Sequence, residues 1–231
     1  ATIGKELAHI EQAKMEDVKA FFAKHYRPSN AIMVVAGDVK VNQVKELAEK
    51  WFGGIPKGEK PSRMLPLEPE QTEARKETIK ASVPLNAIYL AFHMSSRLDD
   101  AYYTTDLISD ILSRGQSSRL FSRLVKEQKL FSEINAYLTG SLDAGLFVVE
   151  GKPLLEVSIE KAEQAIWFEL DQLKADLVTE HELIKVKNKM ESTMVFSEMS
   201  LLDKAMSLAY FELLGDASQV NTEIEKYLQV S

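Results

Sequence analysis

Between Ile55 and Pro69 the chain places prolines at 56, 61, 66 and 69. A pyrrolidine ring fixes φ and removes a backbone N–H, so a stretch this rich in proline neither continues a helix nor sits inside a sheet. No periodic apolar face runs through it. It reads as a semi-extended linker over residues 55–70, between a piece at 1–54 and a larger piece at 71–231. Hydrophobic residues make up 45% of the chain and charged residues 27%, which is ordinary globular usage and excludes a disordered or collagen-like chain.

Ahead of the linker, Val18, Phe21, Phe22 and Tyr26 fall at helical spacing behind acidic Glu16 and Asp17, and Pro28 stops the helix they predict over 15–26. The apolar run 31–37, AIMVVAG, predicts a strand buried on both faces. Val44, Leu47, Ala48 and Trp51 predict a second amphipathic helix over 41–52, closed by Gly53 and Gly54. Beyond the linker, 77–83 and 86–94 read as strands separated by Pro84, and 99–129 as helical with a break near Gly115. Alternation over 133–139 and 146–150, around a turn at 140–145, predicts a hairpin. From Glu156 to Leu214 the pattern is helical throughout, with Thr179 and Glu182 spaced as a capping box at the start of its second helix and Gly215 ending the third. The tail from Val220 begins one more helix. Strands with long helices gathered together predict an α+β fold, a mixed or antiparallel β-sheet with long helices on one face.

The formal charge is −7, with no long basic run, which argues against a nucleic-acid partner. Cysteine is absent, so thiol catalysis, thiolate-bound zinc and disulfides are ruled out within this chain. No apolar run has the ~18–20 residues of a transmembrane helix, and the N-terminus lacks a signal-peptide layout. Ala1 to Gly4 read as a chain continuing from upstream.

One segment is more specific. Tyr26-Arg-Pro-Ser-Asn-Ala, an apolar run and Gly37-Asp38 resemble a helix–strand signature of the insulinase/pitrilysin-type zinc metallopeptidases, which include the mitochondrial processing peptidases. Trp51-Phe-Gly-Gly-Ile-Pro56 is similar to that family's continuation. Ser117-Ser-Arg-Leu-Phe121 resembles a helix of its second, non-catalytic half-repeat. Order and spacing agree over nearly the whole chain. The resemblance implies that 1–54 is the end of a catalytic-type half-repeat and 71–231 a truncated, inactive, chamber-forming one. Taken as residues, Pro28, Asn30 and Gly37 do structural work: Pro28 fixes the exit from the helix, Asn30 turns the chain, and Gly37 opens a conformation closed to other residues.

The resemblance also implies an H-x-x-E-H zinc motif, in which two histidines on one helix face bind metal and the glutamate activates water. His9, His25, His93 and His181 contain no such pair, so no metal or catalytic residue is expected in this chain, and zinc is expected in the parent protein or in a partner. His181 reads as an exposed first-turn residue, His25 as a helix-end residue, and His93 as structural or exposed. In the family's second half an Arg and a Tyr seven residues apart bind substrate; the matching positions here are Val125 and Ser132. Valine cannot donate a hydrogen bond, and serine is too short to replace tyrosine. Arg123 and Lys126 flank the position and read as a solvated basic face.

Arg114, Ser117, Ser118 and Arg119 remain as possible substrate-chamber residues, since Arg-Gly-Gln-Ser-Ser resembles an anion-binding turn at a helix start, with plain capping the simpler reading. Asp99-Asp100 and Glu68/Glu70 are carboxylate pairs that read as a helix start and a linker. Met190, Met194, Met199, Met206 and Phe196 form an apolar stripe expected to pack between helices. The resulting expectation is the substrate-chamber region of a zinc-dependent metalloendopeptidase. Its partners would be the remaining half of the same protein, a sister subunit carrying the Arg and Tyr, and peptide substrates. The alternative is a non-catalytic scaffold or partner subunit related to processing peptidases.

Overall fold

The computed structural model describes residues 6–60, 69–140 and 142–231. Short α1 (Leu7–Glu11), α2 (Met15–His25) and α3 (Val41–Phe52) precede the linker. Asp17 begins α2 by accepting the Lys14 N–H at 3.0 Å. None of the three helices has a buried residue. Gly37 sits at φ 142°, a conformation disfavoured for residues with a Cβ. The run 31–37 does not form the expected strand: it has no ladder partner, and Ile32, Met33 and Val35 are exposed. Main-chain donors in an extended segment need a neighbouring strand, and the described residues offer none. The expected strand at 77–83 fails for the same reason, with Ile79 and Val83 exposed. Of the linker, 61–68, and Glu68 with it, lie outside the described residues.

Among the described residues, the buried core lies between Leu90 and Tyr227. β1 (Ile88–Met94), β2 (Phe131–Leu138) and β3 (Gly145–Pro153) form an antiparallel sheet in the order β1-β3-β2. The hairpin is therefore present, and β3 is flanked on both sides. Leu90 faces Val149, and Ala136 faces Val149 from the other neighbour. A bulge interrupts β2 between Phe131 and Glu133. The long helices are α4 (Ala101–Ser113), α5 (Ile159–Ala175), α6 (Glu180–Ser197) and α7 (Leu201–Leu214), followed by a 3₁₀ turn and α8 (Glu223–Gln229). The expected α+β fold is what forms. Ser158, Thr179 and Ser200 each cap a helix by accepting an N–H from the third residue on. Gly215 ends α7 at φ 119°, with Gly215 and Asp216 N–H groups bonding back to Glu212 and Phe211 carbonyls.

Two apolar clusters hold these layers together. In the first, Leu90, Ile134, Ala136 and Val149 from the sheet pack with Ala162, Ile166 and Leu170 of α5 and with Leu112, Leu120 and Leu124. In the second, Tyr103, Leu107 and Ile111 of α4 meet Val186 and Met190 of α6 and Tyr227 of α8. Helix α4 thus contributes to both clusters, because its apolar residues at i, i+4 and i+8 face away from Leu112. Each fully buried aliphatic side chain contributes about 1.5–3 kcal/mol. The methionine stripe divides: Met190 is buried and Met194 packs against the second cluster, whereas Phe196, Met199 and Met206 are exposed. The expectation of packing between helices fails for those three.

Candidate functional site

The residues that resemble a substrate-binding region lie on the turn after α4, on a π-helical segment and on β2. Helix α4 ends at Arg114, and Gly115 turns the chain at φ 91°. Ser118 is fully buried and donates its hydroxyl to the Gly115 carbonyl at 2.7 Å. Its neighbour Ser117 is exposed and accepts from Lys185 Nζ at 3.2 Å. The 114–118 turn is therefore closed by its own hydrogen bonds. Arg119 donates from Nε and Nη2 to the two Glu182 oxygens at 2.7 and 2.8 Å. Glu182 simultaneously accepts the Thr179 N–H at 3.1 Å, completing the capping box of α6. The Arg119 guanidinium, helped by Thr179, holds the Glu182 carboxyl down at about 2. Arg119 is thus committed to a partner within the fold.

The π-helical segment runs from Phe121 to Glu127. Its wide turn carries bonds from the Gln128 N–H to the Arg123 carbonyl and from the Leu130 N–H to the Leu124 carbonyl. Arg123, one of the flanking cations, pairs with the buried Glu169 at 2.6 Å. Lys126 stands over the Phe121 ring and donates to the Gln116 carbonyl at 3.3 Å. Val125 is half-buried and packs on the first core cluster. Ser132 is exposed at the β2 bulge and donates to the Lys152 carbonyl at 3.1 Å. At the two positions where the family pattern has Arg and Tyr, this chain has an aliphatic contact and a short hydroxyl bound to backbone.

A cavity of about 530 Å³ opens between α4 and β2, lined among others by Tyr102, Asp106, Asp110, Arg114, Asn135 and Tyr137. Asp110 is buried, which pushes its carboxyl up, while Arg114 Nη1 at 3.2 Å pulls it down; burial wins. Asp106 accepts the Tyr227 hydroxyl at 2.6 Å. Burial and this carboxylate push the Tyr227 phenol upward. Asp106 and Asp110 share a helix face at the i,i+4 spacing of a metal-binding pair. Among the described residues, however, no group of three or more His, Cys, Asp or Glu converges to complete such a site. The described residues of this cavity do not fit a zinc ion. The spacing of these two aspartates and the strand over 133–139 were visible in the sequence; that the strand packs against them was not.

The histidines are scattered: His9 and His181 are exposed, His25 lies against the Phe21 ring at a 39° tilt, and His93 is on β1 opposite Leu146. Asp99 accepts the Ala101 N–H at 2.8 Å and Asp100 pairs with Lys226, so this carboxylate pair starts a helix and ties α8 to it. A buried network went unread in the sequence: Arg97 donates to the Tyr103 hydroxyl at 2.8 Å, pairs with Glu223, and lies against the Tyr102 and Tyr103 rings. An isolated arginine after a strand carries no periodic signal that points to such a role.

The peptidase M16 inactive domain matches residues 12–190. The chain belongs to that family. A zinc protease of Helicobacter pylori, PqqE, is 27% identical over 226 residues, 96% of this chain and 50% of the relative. The crystal structure of a protease from Helicobacter pylori superposes with a TM-score of 0.89 at 25% identity, covering 98% of this chain and 55% of the other. The M16 inactive domain from Pseudomonas fluorescens shares the fold, with a TM-score of 0.79 at 20% identity over 97% of this chain and 53% of the other. The chain spans about half the length of these relatives. Among the described residues, no helix is long and apolar enough to cross a membrane.

Proposed function

We propose that this chain supplies the non-catalytic, substrate-chamber part of a zinc-dependent metalloendopeptidase. In this reading 1–54 ends a catalytic-type half-repeat, 55–70 links, and 71–231 forms the inactive half. The observation that carries it is the match to an inactive peptidase domain in a chain whose histidines are dispersed. The partner is the remaining half of the same protein, which would hold the zinc; peptides are the substrates. When bound there, zinc supplies Lewis-acid polarisation of the scissile carbonyl and an activated water. This chain's residues would bind and orient the peptide.

Val125 and Ser132 favour a second arrangement, in which a sister subunit provides the Arg and Tyr or in which the protein is a scaffold related to processing peptidases. A single lost donor to the developing oxyanion typically costs ~10²–10³ in rate. The test is to assay the full-length parent with zinc, alone and with sister subunits, and to add Val125→Arg and Ser132→Tyr together. Activity that depends on a partner or rises with the double substitution supports the two-chain arrangement. Full activity of the parent alone, unmoved by either, removes it. A zinc-loaded parent that cleaves no peptide under any of these conditions overturns the peptidase reading itself, as does one tightly held zinc in the isolated chain.

A further inference from the structure

We infer that this chain pairs with a second copy of itself along β1, the two β1 strands running antiparallel about a two-fold axis at Ala91. β1 is an edge strand: in the order β1-β3-β2 only β3 lies beside it. The ladder fixes which of its backbone groups face outward. The Thr139 N–H bonds to the Leu146 carbonyl at 2.9 Å, so Leu146 is directed towards β2, and its alternates Gly145, Phe147, Val149 and Gly151 towards β1. Those residues pair with Met94, Phe92, Leu90 and Ile88. In an antiparallel strand a residue presents its N–H and C=O to the same side. Tyr89, Ala91 and His93 therefore direct theirs away from β3. Tyr89 is 60% exposed, and Ala91 is exposed as well.

An unpaired strand edge is a template for another strand, and folds blunt it with charges, proline, a bulge or a covering element. β2 has two of these protections: the bulge between Phe131 and Glu133, and α4 alongside, where the Ser113 hydroxyl donates to the Ala136 carbonyl at 2.9 Å. β1, Ile-Tyr-Leu-Ala-Phe-His-Met, carries no Lys, Arg, Asp, Glu or Pro, and its register with β3 is unbroken over seven residues. The strand that fits this edge is β1 itself. Centred on Ala91, two copies overlap over the whole of 88–94, whereas any other centre leaves strand ends unpaired. On the face that α5 covers, Ile88 stands opposite Met94 of the other copy and Leu90 opposite its Phe92, so the half-buried Ile88, Phe92 and Met94 gain apolar neighbours. On the other face Tyr89 stands opposite His93, and Ala91 meets Ala91 at the axis. No like charges face each other, and the small side chain at the axis lets the backbones approach. Such an isologous contact closes as a dimer instead of growing into a fibre. Seven residues on each copy form a smaller seam than the ~20–30 residues a side of a standard interface, so the dimer should form at about 1–100 µM.

The test is sedimentation velocity on the full chain over about 1–200 µM, with amide hydrogen exchange followed at the same concentrations. The sedimentation coefficient should rise with concentration to that of a dimer, and the Tyr89 and Ala91 amides should exchange more slowly in the dimer than in the monomer. Ala91→Lys and Ala91→Glu should each raise the midpoint concentration roughly ten-fold or more, because like charges then face each other across the axis. Both substitutions fall at an exposed position, and unchanged circular dichroism shows that the fold holds. An equimolar mixture of the two variants should restore the dimer. A chain that stays monomeric throughout, a dimer indifferent to Ala91→Lys, or a mixture that remains monomeric overturns the inference. So does a dimer lost in Trp51→Glu but kept in Ala91→Lys, which would place the contact on α3. A monomeric full-length parent whose Tyr89 and Ala91 amides are already protected also overturns it, since a strand of the remaining half would then occupy the edge. The chamber reading is decided separately by peptidase activity of the zinc-loaded parent, whatever the outcome at β1.

Discussion

Glu182 caps α6 through Thr179 and pairs with Arg119 in two-point geometry, so removing it exposes both roles. Glu182→Ala removes the capping-box acceptor, worth about 0.5–1 kcal/mol. It also leaves Arg119, whose side chain is 11% exposed, without its counter-charge. Stranding a fully buried partner costs about 3–5 kcal/mol, and partial hydration of this pair brings the term to about 1–3. The sum is a loss of about 2–4 kcal/mol. Glu182→Gln can still accept the Thr179 N–H and should lose only about 1–2. Urea unfolding followed by circular dichroism measures both, with the slope unchanged so that the midpoint reports stability. The sign of the pH dependence follows from the carboxyl being held at about 2 against its ordinary 4.5. The stabilisation is fully present above about pH 4.5 and is lost as pH falls through about 2. The wild-type advantage over Glu182→Gln should therefore shrink steadily between those values. Arg119→Met should act through the same pair, with a coupling of about 1–2 kcal/mol in the double-mutant cycle. If Glu182→Ala unfolds within 0.5 kcal/mol of wild type, or if the gap to Glu182→Gln is flat from pH 5 to pH 2.5, Arg119 is not committed to the fold and returns as a substrate-binding residue.

Ile166, fully buried between α5 and the sheet, should lose about 2–5 kcal/mol on substitution by alanine; a denaturation midpoint close to wild type would mean that the first cluster is not the core. Brief proteolysis should cut first within 55–70, a proline-rich stretch with no periodic apolar face, and mass spectrometry locates the cut; initial cleavage within 101–127 would reject that boundary.

The four prolines, the helical spacing of 15–26, 41–52 and 156–214, and the alternation of the hairpin were enough to read the α+β class, because each depends on residues close together in the chain. The Thr179–Glu182 cap was legible for the same reason. Family membership was likewise written in short segments, and so were the substitutions at Val125 and Ser132. The runs 31–37 and 77–83 misled because β-character says that a segment needs a neighbour, not where that neighbour is. The seven-residue π-helical segment could not be read, since one extra residue per turn leaves no mark in the apolar period. Only the tertiary structure decided what the charged residues do. Arg119 meets Glu182 and Arg97 meets Glu223 across long separations in sequence, and a pairing of that kind depends on where the chain returns. The same holds for the cavity: Asp106 and Asp110 share a face because of helical geometry, but only the packing of α4 beside β2 makes them line one cavity.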